Sequence, residues 1–150
     1  MQKIKETIDQ ITLNKKTKIV KYVGLFLTTL FIGIVAIERF PGVLTLTDTP
    51  YEWLMFGVFK ISLLDDITHG ISGFLGVLAL LGGYRWTVKY LMLIGGYYTL
   101  DALFYVVDGF ATGQGLIDNV LLNGPHIGIS ILVAFALFVA IRRIELNEEK

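Results

Sequence analysis

The sequence predicts an all-α integral membrane protein, a four-helix bundle with both termini on the cytoplasmic side. Three observations carry this. Hydrophobic residues make up 54% of the 150 and charged residues 17%, against about 25% charged in ordinary soluble domains. Four apolar runs stand out, about 19–37, 67–84, 88–107 and 121–141, each near the roughly 20 residues that a helix needs to cross the hydrocarbon core. The basic residues fall on one side. Lys3, Lys5, Lys15, Lys16, Lys18 and Lys21 precede or open the first run, Arg85 and Lys89 sit between the second and third, and Arg142, Arg143 and Lys150 follow the fourth. Only Arg39 and Lys60 oppose them, so the positive-inside rule places both termini in the cytoplasm of a multi-pass inner-membrane protein.

These numbers also exclude other classes. A mean hydropathy of +0.65 is incompatible with disorder. The runs do not alternate as barrel strands do. With no cysteine there is no disulfide framework and no thiolate site. A formal net charge of zero argues against a nucleic-acid partner; the partner expected is the lipid bilayer, with further copies of the chain or other membrane subunits beside it.

The chain divides into a basic segment 1–17, a four-span domain 18–142 and a tail 143–150. In the first segment Ile4, Ile8 and Ile11 recur at helical spacing among lysines, which reads as an amphipathic helix on the inner surface or as a frayed basic tail. After the first span, Thr49-Pro50-Tyr51-Glu52 has the form of a capping box with proline at the first helical position. It predicts an interfacial helix over 50–60 that carries Trp53, Phe56 and Phe59. Gly82-Gly83 makes a tight inner turn, so the second and third spans are antiparallel neighbours. Gly109 to Asn119 reads as an irregular outer turn. Residues 63–72 and 121–130 resemble each other, each with [D/N]-x-x-H at the outer end of a span; they are either a tandem hairpin repeat or a chance likeness of two apolar segments.

Ionisable groups inside a membrane cost about 2.5–3.5 kcal/mol each at a helix centre and need a partner or a purpose. Here they are Asp65, Asp66 and His69 on the second span, Asp101 and Asp108 on the third, and Asn123 and His126 on the fourth. Several readings stay open. Asp65, Asp66 and Asn123 can cap helices while the histidines bond to Asp101 or Asp108 and lock the bundle. His69, Asp66, Asp101 and His126 can hold Zn, Fe or Mn. His69 and His126 can be the axial ligands of haem b. Asp101 can belong to a proton or ion path. Three such groups on three helices cannot each face lipid, and the repeat sets the histidines at matching depth, so His69, His126 and Asp101 are expected to converge on a common point.

Asp66-Ile67-Thr68-His69-Gly70, Asn123-Gly124-Pro125-His126 and the preceding Gly57-Val58-Phe59-Lys60-Ile61-Ser62 are similar to an uncharacterised bacterial and archaeal family of four-helix membrane proteins. That family, a domain of unknown function, has N-x-x-H at helices two and four and is broadly DoxX-like. Asp66 stands where the family has asparagine, and Gly124-Pro125 precedes His126. The resemblance implies the four-span architecture, directs attention to the two histidines, and points to redox or quinone-linked membrane work. The reading of the whole sequence is a small, non-enzymatic membrane scaffold or accessory subunit whose outer His/Asp cluster locks the bundle or binds a metal or cofactor. The alternatives are a redox or quinone-linked enzyme subunit and a small ion or proton transporter.

Overall fold

The structure is a computed structural model that describes residues 2–48, 50–57 and 59–148, with side chains over 17–48, 50–57 and 61–141. The order is α1 (Gln2–Ile37), β1 (Leu44–Leu46), β2 (Glu52–Met55), β3 (Phe59–Ser62), α2 (Leu63–Leu81), α3 (Tyr84–Ala111), α4 (Leu116–Leu122) and α5 (Gly124–Glu148). Four helices are long and apolar enough to cross a membrane, over Thr17–Ile37, Leu63–Leu81, Tyr84–Ala111 and Gly124–Ile141. The backbone of α1 runs as one helix from Gln2 into the first of these spans. The side chains of the expected amphipathic face, Ile4, Ile8 and Ile11, lie outside the described residues.

The core follows from helical spacing. Val20, Val23, Leu27 and Phe31 form one buried stripe of α1. Leu91, Ile94 and Tyr98 do the same on α3, and Ile129, Val133, Ala136 and Ala140 on α5. Helix α1 packs on α2, α3 and α5, and α3 packs on α2 and α5. Helices α1 and α3 are therefore the middle of the bundle, and α2 and α5 flank them. The outside is as apolar as the inside: Phe26, Phe74, Phe104 and Phe135, one on each long helix, are exposed.

Small residues set the closest approaches. A Cβ added at Gly76 would meet Thr28 Oγ1 from α1 and the Tyr90 hydroxyl from α3. Gly83 reverses the chain between α2 and α3 at φ 82° and ψ −165°, backbone that a side chain disfavours. The tight antiparallel turn read from Gly82-Gly83 is present.

The segment expected as a helix over 50–60 is instead the middle of a three-stranded antiparallel sheet, order β1-β2-β3. Leu46 and Trp53 are paired, as are Trp53 and Ile61. Tyr51 has φ 61° and Phe56 φ 54°, left-handed backbone that a right-handed helix cannot contain. Pairing sets Leu46, Trp53 and Ile61 side by side across the three strands, and cross-strand neighbours of this kind favour a sheet over the weak local preference of a capping sequence. The capping box is at Ser62. Its hydroxyl accepts from Asp65 N, while Asp65 Oδ2 accepts from Ser62 N at 2.8 Å. Ser62-x-x-Asp65 follows the same grammar as Thr49-x-x-Glu52 and starts α2 four residues before the expected 67.

The outer turn expected over Gly109 to Asn119 is partly helical: α3 continues to Ala111, and α4 begins at Leu116. Between α4 and α5 the helix breaks and restarts around Pro125, which has no N–H to continue the ladder.

Candidate functional site

The sheet, α4 and the acidic groups gather at one end of the bundle. Between α1 and α5 at that end lies a half-open cavity of about 950 Å³. Its polar wall carries Glu52, Asp65, His69, Asp108, Asn123 and His126. Phe26, Leu30 and Ile34 line it from α1, and Ile129 and Leu132 from α5. The three α1 residues recur every four positions, a strip about 12 Å long at 1.5 Å per residue. One end of the cavity is therefore polar and the other apolar.

Hydrogen bonds fix two of these polar residues, Asp65 and Asn123, in place. Asp65 sits in the first turn of α2, its Oδ2 held by Ser62 N and by Ser62 Oγ at 2.7 Å. Asn123 donates from Nδ2 to Asn119 Oδ1 at 2.8 Å and to Asn119 O at 2.9 Å. Asn119 is fully buried and donates from Nδ2 to Val106 O at 2.8 Å, which ties α4 to α3. Reading the sequence missed Asn119. Its one visible signal is a four-residue spacing to Asn123, which puts both amides on one helical face.

The two histidines line the same cavity but do not converge. His126 Nδ1 lies 2.7 Å from Asp101 Oδ2. The Nδ1 atom has no aligned hydrogen bond, so the two groups meet as a close polar contact. His69 is elsewhere. Its ring stacks on Phe31 at 5.9 Å between centroids, Phe31 stacks on Tyr98 at 5.2 Å, and Tyr98 meets His126 edge-on at 5.3 Å. Phe31 and Tyr98 come from the two middle helices, and the histidines from the two flanking ones. The expected common point of His69, His126 and Asp101 is thus replaced by an aromatic stack with a histidine at each end. His69 Nδ1 is buried and has no hydrogen-bond partner among the described residues.

Asp66 faces the other way. Its Oδ2 takes the Arg39 guanidinium at 2.7 Å. Its Oδ1 and Glu38 Oε1 are both buried without a donor among the described residues. Two ionised carboxylates cannot bond each other; one proton between them can. Glu38 is 5% exposed, and its carboxyl is pushed up to about 7. Burial is the main cause, followed by the hydrogen bond to Asp66 and the charges of Asp66 and Asp65, with Arg39 opposing. The Glu38–Asp66–Arg39 group links the end of α1 to the first turn of α2. Of the four residues expected to hold a metal, only Asp101 and His126 meet. Among the described residues no three His, Asp or Glu side chains are placed to hold an ion together.

No family model, curated protein or solved structure matches this chain. Nothing in these comparisons bears on the resemblance to the DoxX-like group.

The site can accept hydrogen bonds and positive charge at its polar end through Asp65, Asp108 and Asn123. It can also cover a hydrocarbon chain along α1 and α5.

Proposed function

We propose that this chain is a multi-pass membrane protein, with its termini in the cytoplasm, that binds a small amphipathic molecule in the cavity between α1 and α5. The observation that carries the reading is the division of one cavity wall into a polar end and an apolar strip. In a bilayer that division would set the polar end at headgroup depth and the strip of Phe26, Leu30 and Ile34 at acyl-chain depth. The volume of about 950 Å³ falls within the range of roughly 300–1,000 Å³ for small-molecule sites. The orientation is supported by the eleven Lys and Arg residues of the termini and the α2–α3 turn, against Arg39 and Lys60 alone beyond the opposite end. This reading keeps the role of an accessory or binding subunit and gives the His/Asp cluster a ligand-facing task.

The test is native mass spectrometry of the protein released gently from its membrane. A Cβ at Gly128, which lines the cavity, would meet nothing within 4 Å. Gly128→Phe therefore adds bulk at the cavity wall from a Cβ position that is open. The wild type should carry a bound small molecule that Gly128→Phe loses. The same adduct on both proteins, or on neither, would refute the proposal.

A further inference from the structure

We infer that the molecule held in this cavity carries a positively charged nitrogen at its polar end: it is a cationic amphiphile, an amine or quaternary ammonium on a hydrocarbon chain. This inference rests on the binding role proposed above and adds the chemistry of the head.

Three facts about the polar end select the charge. Its acidic side chains are those of Glu52, Asp65 and Asp108, and among the residues whose side chains are described no lysine or arginine lines the cavity. Neither Asp65 nor Asp108 is in an ion pair with a cation among the described residues; Arg39 is drawn away to Asp66, and His126 to Asp101. Ser62 occupies Oδ2 of Asp65 and leaves Oδ1 for another partner. A phosphate or carboxylate head would enter this space against the carboxyl groups of Asp65 and Asp108, with no guanidinium or ammonium among the described side chains of the lining to receive it.

An independent observation points the same way. Tyr105 stands three residues before Asp108 on α3, one helical turn away, and both line the cavity. The Tyr105 ring lies 6.3 Å from that of His126 and is 43% exposed. An aromatic face beside a carboxylate is the pairing that receives an ammonium group, through the ring quadrupole on one side and the charge on the other. Phe26, Leu30 and Leu132 would then cover the chain attached to it.

The experiment compares three probes with one alkyl chain and different heads: decyltrimethylammonium, decanol and decyl phosphate. Each is titrated into the full chain in nanodiscs of neutral lipid, and bound probe is counted by native mass spectrometry. The ammonium probe should bind saturably and about tenfold or more tighter than decanol, the ratio expected of one favourable charge contact. Decyl phosphate should bind more weakly than decanol. Asp108→Asn should weaken the ammonium probe about tenfold and leave decanol unchanged. Tighter binding of decyl phosphate, or equal binding of the ammonium and alcohol probes, would overturn the inference about the head while the cavity remains a binding site. Failure of all three probes, or their unaltered binding to Gly128→Phe, would overturn the binding role itself.

Discussion

Asp101 Oδ2 lies 2.7 Å from His126 Nδ1 and so joins α3 to α5 at the edge of the cavity. The two side chains are 21% and 28% exposed, so the pair is neither fully desolvated nor free in solvent. Truncation of either partner, Asp101→Ala or His126→Ala, should cost about 1–3 kcal/mol, the range for a polar group deprived of its partner. The double variant should cost less than the sum of the two, because the second truncation removes a group that is already unpaired. Unfolding in mixed micelles measures this, and strict additivity would mean that the contact carries no energy.

Glu38 makes stability depend on pH. Its carboxyl is raised from 4.5 to about 7 by burial and by the facing Asp66, with Asp65 adding to the effect and Arg39 opposing it. A group whose folded pKa lies above its unfolded one contributes fully below the unfolded value, and the contribution is lost as pH rises through the folded one. Stability should therefore fall between about pH 4.5 and about pH 7 as the shared proton leaves two facing carboxylates. Glu38→Gln keeps a hydrogen-bond donor toward Asp66 at every pH and should flatten that part of the curve. Parallel curves for the wild type and Glu38→Gln would contradict the shared proton.

Gly76 and Gly96 should respond oppositely to alanine. A Cβ at Gly76 collides with Thr28 and Tyr90, whereas one at Gly96 meets nothing within 4 Å. Gly76→Ala should cost about 1–3 kcal/mol by overpacking the junction of α1, α2 and α3. Gly96→Ala should be neutral or gain up to about 1 kcal/mol from helix propensity. Thermal unfolding of the two variants side by side decides it, and equal melting temperatures would show that the junction has slack.

Asn119→Ala should destabilise the cavity end of the bundle by about 1–3 kcal/mol. It removes the bond to Val106 O and the acceptor for Asn123 in one step. Because Asn123 lines the cavity, the variant should also weaken ligand retention in native mass spectra. Unchanged stability would mean that water replaces the amide at no cost.

The proposed orientation can be read with cysteines, since the chain has none of its own. Asp48→Cys and Asp118→Cys should react with an impermeant reagent applied to intact cells, and Lys3→Cys only after the cells are opened. Labelling of position 3 from outside would reverse the topology.

The sequence by itself determined the elements whose cause is local or collective along one segment. Apolar runs of membrane-spanning length became four long helices, because a helix satisfies its own backbone within the segment. Gly82-Gly83 was legible as a tight turn because the backbone there needs glycine. The residues to watch, His69, Asp101 and His126, were legible because ionisable groups are rare and costly in such runs. The sheet was misread because its strands hold three or four residues each, too few for their pattern to outweigh a capping sequence that competes for the same stretch. Only the tertiary structure decided which helices stand in the middle. Helices α1 and α3 do, so Phe31 and Tyr98 stack between the two histidines that the cost of polar groups in lipid had been expected to bring together. It also brought Glu38 to Asp66 across the whole sheet-forming segment, and Asp65, Asp108 and His126 to one cavity from three helices. The physical reason is the same in each case. Spacing along one helix sets which side chains share a face, whereas contacts between helices depend on how faces pair, and that is settled by packing over the whole bundle.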